Sequence, residues 1–387
     1  MLRNYHTRLR AVLRAEPPFS PKARDMDAVW GCMDPVWGRF ALSRRLNMDQ
    51  TGVFLYKPFG TGKTYAMPDE KVKGGFKNTH VRGGRPMRMA THIGCLCADP
   101  DVEPPRPALV FKGQGLRLSR EAKTALQEAS DGFKVHYTFQ KKAWCDTTVM
   151  RWYFLTVIQP WVHRQLSADE KETPWKKVLL IFDHSGKTHN SMPVRKAIHE
   201  AGCVPFYGEA NGTHRWQPFD SGVGVWGQKR FDNKLRRWLS VKANRQAYGS
   251  RKLTMQDQRL LALRWVGESC DELQSESRRH LRETAWSHTG SSLTADGSGD
   301  HLVQPEGLVS YAVPDVGAPA EYADFRDMPY NSDAEESDGA SGSDDDDGPS
   351  SASSSVVGDS SSESDEESSA DVAGDASHAS DASDGDP

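Results

Sequence analysis

The residues best placed to do chemistry are carboxylates in the stretch 177–231, which opens KVLLIFDHSGKTHN. Asp183 closes the apolar run 178–182, short and bounded by charge. That pattern suits a strand buried on both faces and lifts the acid to the rim of a sheet. Asp220 comes after a second apolar run, 203–207, and stands at the end of THRWQPFD, immediately before a helical pattern. In open mixed sheets ligands sit beyond the carboxyl ends of strands, so acids at that rim are candidates for chemistry, and hard divalent cations are what oxygen ligands suit. Each acid alone also has a plainer reading as a cap or turn carboxylate, Asp220 before SGVGVWG above all.

Holding such acids requires a sheet and flanking helices, and the chain supplies the patterns for them. Residues 46–54, 89–98, 108–112 and 135–139 read as strands, with the proline-rich 104–107 as a turn. Residues 144–162 read as a long helix with Trp152, Leu155, Ile158 and Val162 at helical spacing, most simply core, and 194–201 as a helix between the two apolar runs. After Asp220, residues 226–252 carry Phe231, Leu235, Trp238 and Leu239 as a one-sided stripe. The opposite face holds Lys229, Arg230, Lys234, Arg236 and Arg237, followed by Lys242, Arg245, Arg251 and Lys252, against the single acid Asp232. A charged face is ordinarily solvation; beside a site for nucleic acid it is a surface for the phosphate backbone. Further helix is expected over 255–286, where Leu260, Leu261, Leu263 and Trp265 supply apolar contacts.

A strand ending in Asp with a His some residues on, then THRWQPFDSGV before a basic helix, resembles the DDE superfamily of transposase-type nucleases, in the pogo/jerky-like branch of the mariner group. LNMDQTG at 46–52 is similar to that family's first-strand motif, with Asp49 as the first acid. The resemblance extends through KTYAMPDEKVKGGFKNTHVRGGRPMRMAT, ALVFKGQG and TGSSLTADGSGDHLVQPEGL, and so covers roughly 46–307. It implies a ribonuclease-H-like α/β fold, a mixed sheet flanked by helices, with Asp49 and Asp183 on neighbouring strands and Asp220 at the start of the closing helix. It also implies that Asp49, Asp183 and Asp220 are both catalytic and metal-holding, for Mg2+ or Mn2+, two ions about 4 Å apart that activate a water or DNA 3′ hydroxyl and stabilise the leaving oxygen. His189 lies one residue further from Asp183 than the family spacing, Gln50 stands where many members carry Glu, and Thr213, His214 and Gln217 match the family's TH..QP motif. Those three orient Asp220, touch substrate or are structural, and His184 and His189 either join the site or are loop residues.

Charge points the same way. Of the 53 Asp and Glu, 18 lie in 331–387, which has no Lys, Arg or aromatic residue. The other 35 share residues 1–330 with all 49 Lys and Arg, so a body at +14 carries a tail at −18. A segment this polar buries too little to offset its conformational entropy and reads as disordered. A basic body seeks polyanions, DNA first, and the tail has either its own body or another basic partner to contact. Ser332 and Ser364 precede Glu335 and Glu367 at acidophilic-kinase spacing, which would deepen the charge. The six cysteines show no CxxC pair and no signal peptide, which argues for a reducing compartment, and no run reaches the roughly 18 apolar residues of a membrane span.

Other motifs compete. GTGKT at 60–64 invites a phosphate loop, but the position opening the full motif holds Lys57, so a polar turn with a basic edge (Lys71, Lys73, Lys77, Arg82, Arg85, Arg88) is the stronger reading. His92, Cys95 and Cys97 suggest zinc, against which core packing is favoured because no second ligand pair follows at suitable spacing. The expected organisation is a basic leader or linker remnant over 1–45, with an Arg-rich transit peptide as its alternative, a catalytic domain over 46–240, a helical extension over 241–310, a linker over 311–330 and the acidic tail over 331–387. The expected function is a metal-dependent DNA endonuclease or strand-transfer domain, soluble, nuclear or less favourably organellar, either monomeric or a homo-oligomer. The alternative is an inactive transposon-derived DNA-binding or chromatin protein.

Overall fold

The computed structural model describes residues 1–14, 36–55, 89–166, 178–183, 186–208, 212–250 and 252–314. The GTGKT turn and its basic edge, His184 and the acidic tail lie outside the described residues. Six strands form one sheet: β1 Arg45–Val53, β2 Ala90–Cys97, β3 Ala108–Lys112, β4 His136–Gln140, β5 Val178–Asp183 and β6 Cys203–Gly208, in the order β4-β3-β2-β1-β5-β6. β1, β2 and β3 are antiparallel neighbours, whereas β5 pairs parallel to β1 and β6 parallel to β5. Three antiparallel strands followed by two parallel ones on the far side of β1 is the ribonuclease-H-like arrangement, and β4, parallel to β3, extends it at one edge.

The helices are α1 Leu2–Arg14, α2 Arg120–Gly132, α3 Thr147–Tyr153, α4 Gln159–Gln165, α5 Met192–Glu200, α6 Gly224–Ser240, α7 Lys242–Gly249, α8 Met255–Gln274 and α9 Arg279–His288. Strand alternation assigns the sheet's two faces. Leu46, Met48, Cys95, Leu180 and Phe182 pack on one face against α3, α4 and α5. Leu96, Leu179, Ile181 and Phe206 pack on the other against α1, Phe219 and Trp286 of α9. The helix expected over 144–162 is one run of α3 and α4 joined through a π turn, Phe154–Ile158. Pro160 explains the wider turn, since it has no N–H to give the preceding turn and the ladder shifts to satisfy what remains.

Two expectations are corrected. Residues 2–14, expected within a leader or linker remnant over 1–45, form a helix of the core: Leu2, Tyr5, Leu9, Val12 and Leu13 are all buried. Arg10, 1% exposed, pairs with Asp300 and donates to the Pro314 carbonyl at 3.0 Å. His6 is held between the Tyr311 hydroxyl and the Thr289 carbonyl, each at 2.8 Å. The helix expected over 226–252 breaks at Val241, whose backbone is extended, and Asn244 donates back to the Trp238 carbonyl at 3.0 Å, capping the end of α6. α8 and α9, within the helical extension expected over 241–310, close over the same sheet.

Candidate active site

β1 is the hub, and the pleat decides what it presents. Its register with β5 is Asn47↔Ile181 at the last paired step. Two residues further along both parallel strands stand Asp49 and Asp183, on the same face as Asn47 and Ile181. That face is the one on which Phe219 packs, bringing its neighbour Asp220 to the rim. The strands and turn thus deliver one acid each from three separate elements.

The turn before α6 is built to come close. The Phe219 N–H donates to Asn47 Oδ1 at 2.8 Å, and Gln217 Nε2 reaches the Met48 carbonyl at 3.5 Å. Opposite Asp49 in the ladder is Gly94, where a Cβ would stand 2.7 Å from the Phe219 ring. Glycine there lets the Asp220 segment settle onto the strand. Gly222, at φ +97°, allows the kink between Phe219 and α6. Behind it, the Ser291 hydroxyl donates to the Trp216 carbonyl at 2.7 Å, and the buried Arg45 donates to the Leu293 carbonyl at 2.7 Å, so the segment 291–293 backs the turn.

The electrostatics of Asp49 follow from this placement. The Asp49 carboxyl is pushed up to about 8, by burial first, then by the negative charge of Asp220 and of Asp183, against lowering by the Gln50 N–H and the Gln217 amide. Asp183 is positioned by His189, which is 3% exposed: its Nδ1 lies 3.2 Å from Asp183 Oδ1 and 3.1 Å from the Asp183 carbonyl. The Nε2 of His189 lies 2.8 Å from Gln50 Nε2. The amide must donate there, so Nδ1 carries the imidazole proton toward Asp183. His189 and Gln50 therefore work as a chain behind Asp183. Of the three TH..QP residues only Gln217 reaches the acids, while His214 is exposed on the helical turn Thr213–Trp216.

The donor set fits a hard divalent ion. It consists of carboxylate oxygens, and a carboxyl held well above its usual range by two like charges is a group whose ionised form a bound cation would stabilise. Among the described residues no three ligand-type side chains already stand close enough to hold an ion by themselves. Magnesium is ordinarily held by one or two carboxylates, with waters and phosphate oxygens completing the shell.

The zinc alternative is not supported. His92 projects with Asp49 and Gly94, while Cys95 and Cys97 project to the other face. Cys95 lies 3.3 Å from the Tyr153 hydroxyl, and burial pushes the Cys95 and Cys97 thiols up to about 12, far from the thiolates that zinc takes. His92 lines a cavity of about 120 Å³ beside Phe219, its Nε2 without a partner, and burial holds it down to about 4.

The basic face of α6 divides. Arg230 pairs with Glu272 at 2.6 Å and Lys234 with Glu268 at 2.8 Å, both on α8. Lys229, Arg236 and Arg237 are exposed, as are Lys242 and Arg245 of α7. Asn47 and Gly94 carry structural weight that strand and motif reading did not assign, and His189, left open between site and loop, stands with Gln50 behind Asp183.

Residues 87–279 match the family model of the DDE superfamily endonucleases. That segment contains Asp183 and Asp220 and begins after Asp49. No curated protein matches the sequence significantly. Among solved structures, the chain is similar to the crystal structure of a pre-cleavage Mos1 transpososome, at 11% identity and a TM-score of 0.30, covering 70% of this chain and 63% of that one. The chain thus spans less than two thirds of the length of that relative.

Proposed function

The chain belongs to the DDE endonuclease superfamily through residues 87–279, and from that premise we propose that it binds DNA and cuts or joins its phosphodiesters in a metal-dependent reaction. What supports this reading is geometry: Asp49 and Asp183 stand two residues beyond the paired Asn47 and Ile181 on one face of the sheet, and Phe219, the neighbour of Asp220, packs on that same face. DDE endonucleases generally use divalent ions. Here Asp49, Asp183 and Asp220 would hold Mg2+ or Mn2+, two ions whose chemistry is to activate the attacking water or 3′ hydroxyl and to stabilise the leaving oxygen. His189 fixes the rotamer of Asp183 through Nδ1 and is itself fixed by Gln50. Gln217 steadies the carbonyl of Met48 and the carboxyl of Asp49. Lys229, Arg236 and Arg237 project free positive charge for a DNA backbone.

Purified protein should nick supercoiled DNA only with Mg2+ or Mn2+. Asp183→Asn should reduce nicking to background with DNA binding intact. Nicking that persists in Asp183→Asn, or that needs no metal, would overturn the catalytic assignment. Binding with no nicking at all would leave a DNA-binding scaffold derived from such an enzyme.

A further inference from the structure

Three acids on three elements must be held to within a fraction of an ångström to share ions, and although Asp49 pairs with Gly94 and Asp183 with Gly208, the pairing between their own two strands stops short of them. The β1–β5 ladder ends at Asn47↔Ile181, two residues short of Asp49 and Asp183, and the segment of Asp220 belongs to no strand. The Asn47 side chain, 0% exposed, fills that gap. Its Nδ2 donates to the Ile181 carbonyl at 2.9 Å and its Oδ1 accepts from the Phe219 N–H at 2.8 Å. Asn47 itself is two residues before Asp49, Ile181 two before Asp183, and Phe219 one before Asp220.

We propose that Asn47 is the positioning residue of the site, a single buried amide that joins the backbones leading to all three acids and fixes their spacing. The proposal rests on the reading of those acids as a metal site, and it goes beyond that reading by assigning their placement to a residue that touches none of the reacting atoms.

The chemistry requires an amide. Ile181 offers an acceptor and Phe219 a donor, so the residue between them must donate on one side and accept on the other, which a side-chain amide does in only one orientation. The Phe219 N–H opens the turn before α6, where helical N–H groups lack internal partners, and an unmet buried donor is costly. Aspartate would keep the acceptor for Phe219 and set an oxygen against the Ile181 carbonyl. Leucine, similar in shape, offers neither group.

Two measurements on the full chain without DNA test this: amide hydrogen exchange over 217–223 and 178–183, and Mn2+ binding followed by the paramagnetic resonance of the free ion. Asn47→Leu should lose protection at Phe219 and bind Mn2+ about tenfold or more weakly, as expected when a residue orienting metal ligands is removed. Its circular dichroism and metal-free DNA binding should be native. Asn47→Asp should retain the Phe219 protection and lose order only on the β5 side, and it stands in if the leucine variant does not fold. Unchanged Phe219 protection and unchanged Mn2+ affinity in folded Asn47→Leu would overturn the proposal; a lower melting temperature alone, with Mn2+ affinity intact, would reduce Asn47 to a packing residue and overturn it equally. If the unaltered protein binds no Mn2+, the metal-site reading fails by itself, and the exchange at Phe219 and over 178–183 still decides whether Asn47 ties the three segments together.

Discussion

Two helices of this protein, α1 and α6, look alike by charge and differ in what the charge is for. α1 carries Arg3, Arg8, Arg10 and Arg14 and no acid; α6 carries Lys229, Arg230, Lys234, Arg236 and Arg237 and one. In α1 three of the four cationic heads turn inward onto the protein, and Arg3 is exposed. Arg8 donates to the Tyr207 carbonyl at 3.2 Å, Arg14 to the Ala295 carbonyl at 2.6 Å, and Arg10 is clamped between Asp300 and the Pro314 carbonyl. In α6 only the two cations facing α8 are paired, and Lys229, Arg236 and Arg237 stand in solvent. Basic composition therefore says nothing about DNA until it is known where each head finds its partner. α1 uses positive charge to join the two ends of the described fold, and α6 divides it between holding α8 and facing outward.

The comparison breaks most visibly if α1 is removed. Deleting residues 1–14 exposes the surfaces that Leu2, Tyr5, Leu9, Val12 and Leu13 cover. At about 1.5–3 kcal/mol for each large buried side chain, the loss is on the order of 10 kcal/mol, comparable to the whole stability of a typical domain. The expected outcome is no cooperative unfolding transition in thermal denaturation followed by circular dichroism. A truncated protein that melts like the full chain would show that α1 is an appendage after all.

A smaller effect lies in the pH dependence of the same helix. His6 is held down to about 4, by burial first and secondarily by Arg10, against the raising influence of Thr289 and Asp300. The unfolded chain takes up its proton near pH 6.5, so the stabilisation is complete above that pH and is lost as pH falls from about 6.5 to about 4, in total on the order of 3 kcal/mol. His6→Gln keeps a donor for the Thr289 carbonyl and should flatten the loss measured by urea denaturation between pH 7 and pH 4.5. Some slope should persist from His92, which burial also lowers to about 4. An unchanged slope in His6→Gln would place the acid sensitivity elsewhere.

What was legible in the sequence follows the same division between local and distant causes. Apolar runs bounded by charge gave the strands within a residue or two, and rim position singled out Asp183 and Asp220, because both signals are local. α1 was obscured by its arginines, although Leu2, Tyr5, Leu9, Val12 and Leu13 repeat at helical spacing and would have shown it. α2 carries one local sign in the sequence, Ser119, whose hydroxyl accepts the Ala122 N–H as a helix cap. Asn47 was not legible as a positioning residue, since its two partners lie at 181 and 219 and only the fold brings them to it. Nor could the sequence tell Arg230 and Lys234 from Lys229, Arg236 and Arg237, because the difference depends on where α8 comes to rest.

That last distinction gives the finest test. Lys234→Met removes an ion pair with Glu268 whose partners are 21% and 33% exposed, and a pair so placed contributes only about 0.2–1 kcal/mol. The variant should melt slightly lower and bind DNA as before. The triple substitution of Lys229, Arg236 and Arg237 to Gln should do the reverse, leaving the melting temperature in place while DNA binding weakens and its dependence on salt becomes shallower. Every cation that neutralises a phosphate adds about 0.9 to the slope of log affinity against log salt on duplex DNA, so the drop in slope tells how many of the three reach the backbone. A slope unchanged in the triple variant would mean that the outward face of α6 only keeps the protein in solution. A weakened slope in Lys234→Met would mean that the cations facing α8 leave their carboxylates for DNA, and the division drawn between the two faces of α6 would have to be abandoned.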